Sequence, residues 1–224
     1  MDKQLVLLGG APVLIHTLQR IGSCPSVREI IVVTREQSIP VLHQMVADFD
    51  CKKIRTIVTG GQTRQQSVRN GFREISAQSQ FVAIHDGARP LVRPEDVEAC
   101  IAAARESGAA TLGVQVKDTI KQVDESERLF QRRIEAFYMR RRRSGLFSVA
   151  SYEIAAEKAD IADRDFTDDC QLMEYAGMPV RMVKGSYDNI KITTPEDLAI
   201  AEGLLAYQCG WEDERDDAAD WARI

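Results

Sequence analysis

Asp86 and Arg89 stand at the end of a short apolar run, in Phe81 to Pro90 (FVAIHDGARP). Such a run, closed by Gly and Pro, predicts a buried parallel strand that ends in a turn. In an open α/β sheet, ligands lie at the carboxyl ends of the strands. An Asp there supplies a hard oxygen for Mg²⁺, and an Arg offers a planar fork for phosphate or carboxylate. The same residues also describe a plain strand-ending turn with a local ion pair. Two other places carry comparable chemistry. Gly60-Gly61, ahead of a polar helix start with Arg64 and Ser67, has the makings of a phosphate or nucleobase cradle, although most Gly-Gly pairs only turn the chain. Lys191, in Asn189-Ile190-Lys191-Ile192-Thr193, is either a cation aimed at a phosphate or an exposed strand lysine.

The elements around these residues alternate. Helix is expected over residues 11–21, 38–49, 63–75, 94–106, 149–158, 168–176 and 198–207; Pro12 and Pro94 fall in first turns, and Thr63 and Thr167 are placed as caps. Strand is expected over 29–34, 53–58, 81–84, 109–116, 179–183 and 189–193. That rhythm predicts an α/β fold with a mostly parallel sheet in three layers. It breaks at residues 117–147, a polar stretch expected to form an extended hairpin or arm. This stretch contains Arg140 to Arg143, which suggests a solvated loop or, less readily, a nucleic-acid patch. The acidic end from 209 to 224 is expected to be a frayed or disordered tail.

Composition narrows the classes. With 224 residues, 44% of them hydrophobic, the chain can bury one large domain core, placed at residues 1–208. A net charge of −5 argues against nucleic acid and anionic membranes as partners. The five cysteines are scattered without metal spacing, as free thiols in a reducing cytoplasm would be. No apolar run approaches the roughly 20 residues that span a bilayer, and no secretory leader is expected.

Several blocks in order (LGGAPVLIHTL, GGQTRQQSVRNGF, HDGARP, VKDTIK, FTDD and NIKITTPEDLAIAE) resemble the 2-C-methyl-D-erythritol 4-phosphate cytidylyltransferase family. The resemblance implies a Rossmann-like nucleotidyltransferase fold and a protruding arm that makes a homodimer. It also implies Mg²⁺, CTP as donor and a sugar-alcohol phosphate as acceptor, with pyrophosphate released. By the same resemblance, Lys3 faces the triphosphate and Lys191 contacts the reacting phosphates. Gly61, Gln62 and Ser67 hold cytosine and ribose, while Asp86, Gly87 and Arg89 line the nucleotide pocket, with Asp86 also near the metal. Thr119 and Thr167 hold the acceptor, Thr119 serving the neighbouring subunit's site. The sibling ribitol 5-phosphate enzymes share these blocks, and a truncated, inactive nucleotide-binding relative is the other alternative. There are two departures. The family carries a strand and a Gly-rich loop ahead of the lysine matched by Lys3, and it has an AQTPQxF segment where this chain has FYMRRRRSGLF.

Overall fold

The structure is a computed structural model that describes residues 3–118, 120–126, 128–130 and 139–210. After a 3-10 turn at Lys3–Leu5, the two-residue strands β1 (Leu7–Leu8) and β2 (Ala11–Pro12) pair antiparallel. Gly9 and Gly10 make the reversal at φ +54° and +88°, a left-handed pair that glycine adopts without a Cβ penalty. Helix α1 (Val13–Ser23) follows, then β3 (Ile30–Thr34), α2 (Ile39–Asp48) and β4 (Ile54–Thr59). Next come α3 (Arg64–Phe72), β5 (Phe81–His85), α4 (Pro94–Ser107) and β6 (Ala109–Gln115). The strands are β-branched runs and α4 opens on Pro94 with Glu95 and Asp96 in its first turn, as the sequence patterns require.

Beyond β6 the chain forms the short antiparallel pair β7 (Gln122–Val123) and β8 (Leu129–Phe130). The long strand β9 (Met139–Ser148) follows, then α5 (Val149–Ile161), α6 (Asp169–Tyr175), β10 (Arg181–Lys184) and α7 (Pro195–Gly210). The main sheet has the order β10-β6-β9-β5. β10 is parallel to β6, and β9 runs antiparallel to both of its neighbours, β5 and β6. β3 and β4 form a separate parallel pair.

Three expectations give way here. Residues 139–147, assigned to the arm from their polarity, are a central strand. In register with β5 (Val82↔Phe147, Ile84↔Gly145), β9 buries Leu146 and Phe147, while its Arg-rich start runs past the end of β5 along β6. Residues 189–193 are not a strand; among the described residues they make no ladder, and Ile192 N–H instead donates to Ala88 O at 2.9 Å. The cap of α6 is Asp168 rather than Thr167, its carboxylate accepting from Cys170 N–H at 2.7 Å.

Because alternate residues of a strand face opposite ways, the main sheet feeds two apolar clusters. Ala110, Leu112 and Leu146 pack against α4 and Cys24; Phe147, Val82 and Ile84 pack against α5, α6 and the Val68 and Phe72 side of α3. Phe147 is fully buried, with its ring centroid 5.5 Å from that of Tyr152. α1 and α2 cover β3 and β4, and α7 closes over Leu8, Leu91 and Ile192. Phe147→Ala is expected to lower unfolding free energy by about 3–5 kcal/mol, read as a lower denaturant midpoint at an unchanged slope.

Candidate active site

β5 runs directly into the turn Asp86–Pro90, where Arg89 N–H donates to Asp86 O at 3.1 Å. The Arg89 side chain is almost fully buried; its Nε donates to Asp86 Oδ2 at 3.3 Å and its Nη1 to the backbone carbonyl of Asn189 at 2.9 Å. Together with the Ile192–Ala88 bond, these contacts bring residues 189–192 onto the turn. Lys191 Nζ thereby comes to 3.5 Å from Asp86 Oδ2, with the lysine side chain still 38% exposed. One carboxylate thus faces two cations, of which Lys191 is partly exposed.

α1 supports the turn from below. Thr17 Oγ1 donates to Gly87 O at 3.0 Å and to Val13 O at 3.2 Å. A Cβ on Gly87 would approach Leu14 Cδ1 to 3.0 Å and Gln4 Nε2 to 3.3 Å, so the turn lies too close to α1 for a larger residue without adjustment. The role of Thr17 was not legible beforehand, since a Thr in mid-helix is unremarkable until a partner far along the chain is known.

The Gly60-Gly61 loop is held differently from a bare cradle. Gly61 N–H donates to Ser67 Oγ at 3.0 Å and Gln62 N–H to Gln66 Oε1 at 2.9 Å. Thr63 caps α3, as expected, by accepting from Gln66 N–H at 3.2 Å. A Cβ on Gly61 would lie 2.3 Å from Gln66 Cβ. Ser67 therefore fastens the loop to the first turn of its own helix.

The loop before α6 docks against this helix start. Phe166 N–H donates to Gln65 Oε1 at 2.8 Å, and Thr63 Oγ1 to Asp165 Oδ1 at 3.4 Å. These two bonds bring the residues just ahead of Thr167 to the start of α3. Arg64 makes a two-pronged ion pair with the buried carboxylate of Asp169, which also accepts from Tyr152 OH at 3.0 Å. Burial works against the Arg64 charge, but the bond and charge of Asp169, with Asp86 further off, raise its pKa all the same. From the main sheet, Arg141 Nη2 reaches Asp168 Oδ2 at 2.5 Å and its Nη1 reaches Cys170 Sγ at 3.2 Å. This pairing explains why an arginine can sit in a central strand. Lys3 lies in the first 3-10 turn, and Thr119 lies outside the described residues.

His85, just before Asp86, is half-buried, with Nδ1 2.7 Å from Ser144 Oγ. Among the described residues, Nε2 has no hydrogen-bond partner. Burial, with a smaller push from Arg89 against a pull from Asp86, drives its pKa down from 6.5 to about 4, so the ring is neutral at pH 7. Cys24, Cys51, Cys100 and Cys170 are buried free thiols, and burial pushes Cys24 up to about 11 and Cys100 to about 12. Among the described residues, no group of three or more His, Cys, Asp or Glu is arranged to hold a metal, and among them no helix is long and apolar enough to cross a membrane.

The end of β5 thus presents a carboxylate between two cations, and a glycine-turned loop leads from β4 into the start of α3. Comparison with known proteins is specific. The family model for 2-C-methyl-D-erythritol 4-phosphate cytidylyltransferase matches residues 1–207, and the chain belongs to that family. It is 40% identical over 207 residues to the Syntrophotalea carbinolica protein of that name, covering 92% of this chain and 88% of the relative. It is 38% identical over 205 residues to that of Halalkalibacterium halodurans, covering 92% and 89%. Among solved structures, it resembles the 4-diphosphocytidyl-2C-methyl-D-erythritol synthase of Anaerococcus prevotii with a TM-score of 0.79 at 30% identity, covering 89% of this chain and 88% of that one. The 2-C-methyl-D-erythritol 4-phosphate cytidylyltransferase of Thermus thermophilus gives a TM-score of 0.75 at 28% identity, with 91% and 93% covered.

The imidazole of His85, with its Nε2 out of reach of solvent, predicts a pH signature. Because the folded pKa lies below the unfolded one, protonation favours the unfolded chain. This term is absent above pH 6.5 and grows as pH falls toward about 4, reaching roughly 3 kcal/mol. Denaturant unfolding at pH 7 and pH 4.5 should show a smaller acid-induced loss in His85→Gln than in the parent chain.

Proposed function

We propose that the chain transfers CMP from CTP to 2-C-methyl-D-erythritol 4-phosphate and releases pyrophosphate. The observation that carries this is the Asp86–Lys191 pair, set by Arg89 at the carboxyl end of β5. A phosphate oxygen of the acceptor attacks the α-phosphorus. The new O–P bond forms as the bond from that phosphorus to the bridging oxygen breaks, and pyrophosphate carries the negative charge away. There is little covalent work for the protein; positioning and fixed positive charge supply the catalysis. Lys191, held by Asp86 yet partly exposed, is the cation for the reacting phosphates, and Lys3 is assigned the triphosphate. Gly61, Gln62 and Ser67 form the base and ribose wall, with Asp86, Gly87 and Arg89 forming the floor. Thr167 holds the acceptor, and Thr119 reaches the neighbouring site.

Mg²⁺ fits this site in one way. A small hard cation bound by one carboxylate plus substrate phosphates and water needs a single well-placed acid, and Asp86 is that acid. The ion supplies further positive charge to the phosphates. The same reading includes a three-layer Rossmann-like arrangement, a homodimer through the arm that carries β7 and β8, and a cytoplasmic location. Buried free thiols suit such a reducing compartment.

Pyrophosphate release from CTP plus acceptor tests the assignment. Lys191→Ala and Asp86→Asn should each lower the rate by about a hundredfold or more, with the circular dichroism spectrum retained. Unchanged rates in both would overturn the site. A folded parent chain that binds CTP and releases no pyrophosphate would overturn the activity.

A further inference from the structure

The arginine run Arg140–Arg143 has no part in the reaction as assigned, yet one of its members reaches the segment that carries Thr167. β9 sets Arg141 opposite Gly113 of β6, and the Arg141 side chain extends to the start of α6. There its Nη2 lies 2.5 Å from Asp168 Oδ2, while Asp168 Oδ1 accepts from Cys170 N–H at 2.7 Å. Both oxygens of that carboxylate are therefore engaged. The pair is largely withdrawn from water, with side chains 18% and 19% exposed.

Residues 165–169 read Asp-Phe-Thr-Asp-Asp, so Thr167 has three carboxylates within two residues of it in the chain. A phosphate monoester carries nearly two negative charges at pH 7. A carboxylate left uncompensated beside it repels it, most strongly where solvent screening is poor. Asp165 is exposed, so water screens it. The two that are less exposed each meet an arginine from a distant part of the chain: Arg64 pairs with Asp169, and Arg141 with Asp168. Folding alone does not account for Arg141. A partly buried ion pair adds little net stability, the cap of α6 is made through the other oxygen of Asp168, and the apolar burial of β9 comes from Leu146 and Phe147.

We infer that Arg141 is a positioning residue for the acceptor: by neutralising Asp168 and holding its carboxylate to the main sheet, it lets the segment around Thr167 receive a phosphate-bearing molecule. The inference rests on the proposed reaction for the identity of that acceptor. Arg141 acts through Asp168, not by touching the substrate.

A double-mutant cycle on the full 224-residue chain tests this, read by calorimetric binding of 2-C-methyl-D-erythritol 4-phosphate and by KM for that compound and for CTP. Arg141→Met leaves Asp168 uncompensated and should weaken acceptor binding about fivefold or more, with KM for CTP moving less than about twofold. Asp168→Asn keeps a side-chain oxygen for the cap and leaves Arg141 uncompensated. It should tighten acceptor binding about threefold. The double variant should return to within about twofold of the parent, a recovery that lost packing would not give. Added salt should shrink both single effects. Unchanged acceptor binding in both single variants would overturn the inference, as would a double variant as weak as Arg141→Met or an equal rise in KM for CTP. If Arg141→Met does not fold, Asp168→Asn decides, and unchanged or weaker binding in it would overturn the inference. A chain that binds the acceptor in the expected pattern and releases no pyrophosphate overturns the proposed reaction and upholds the inference. A parent chain that releases pyrophosphate while the cycle stays flat overturns the inference alone.

Discussion

A guanidinium buried to the extent of Arg89 must have its charge met and its donors used, and the site is built around that requirement. Asp86 answers the charge from within the same turn, and the carbonyl of Asn189 answers a donor from the far end of the chain. Meeting both obliges residues 189–192 to lie on the β5 turn, which is what carries Lys191 to Asp86. Thr17 and the close contact at Gly87 fix the turn against α1, so the pair is held from two directions. Asp86 therefore has a structural duty, which constrains what can replace it.

A second set of ion pairs organises the other wall. Arg64 and Asp169, with Tyr152 beneath, tie the start of α3 to α6. The stacked Phe72 and Tyr152 rings, 5.3 Å apart, set the distance between α3 and α5 from below. Arg141 brings the main sheet into the same network through Asp168. These are partly buried pairs, whose worth lies more in fixing which segments meet than in net stability. Asp86 also acts on Arg64 through space, helping to raise its pKa.

Family membership and geometry bear on different questions. The match over residues 1–207 identifies the kind of enzyme. The geometry accounts for why a lysine and an aspartate meet at the carboxyl end of β5.

What the sequence determined by itself was local. Apolar runs bounded by Gly and Pro located β3, β4, β5 and β6 to within a residue or two, and Thr63 and Pro94 marked their helix starts, because these signals act over a few neighbouring residues. The ordered blocks HDGARP, GGQTR, FTDD and NIKIT carried the family. The tertiary structure decided what depends on distant partners. Arg140 to Arg143 look like solvent-exposed chain until Asp168 is seen to neutralise Arg141, so the strand β9 and its antiparallel course were hidden. Residues 189–193 alternate like a strand, yet their backbone bonds go to Ala88 and Arg89 instead of a ladder. Thr17, Gln66 and Tyr152 gained their roles only when the chain brought their partners to them. Pattern reports the preferences of a segment; which segments meet is set by buried charge and unpaired backbone seeking partners across the whole chain.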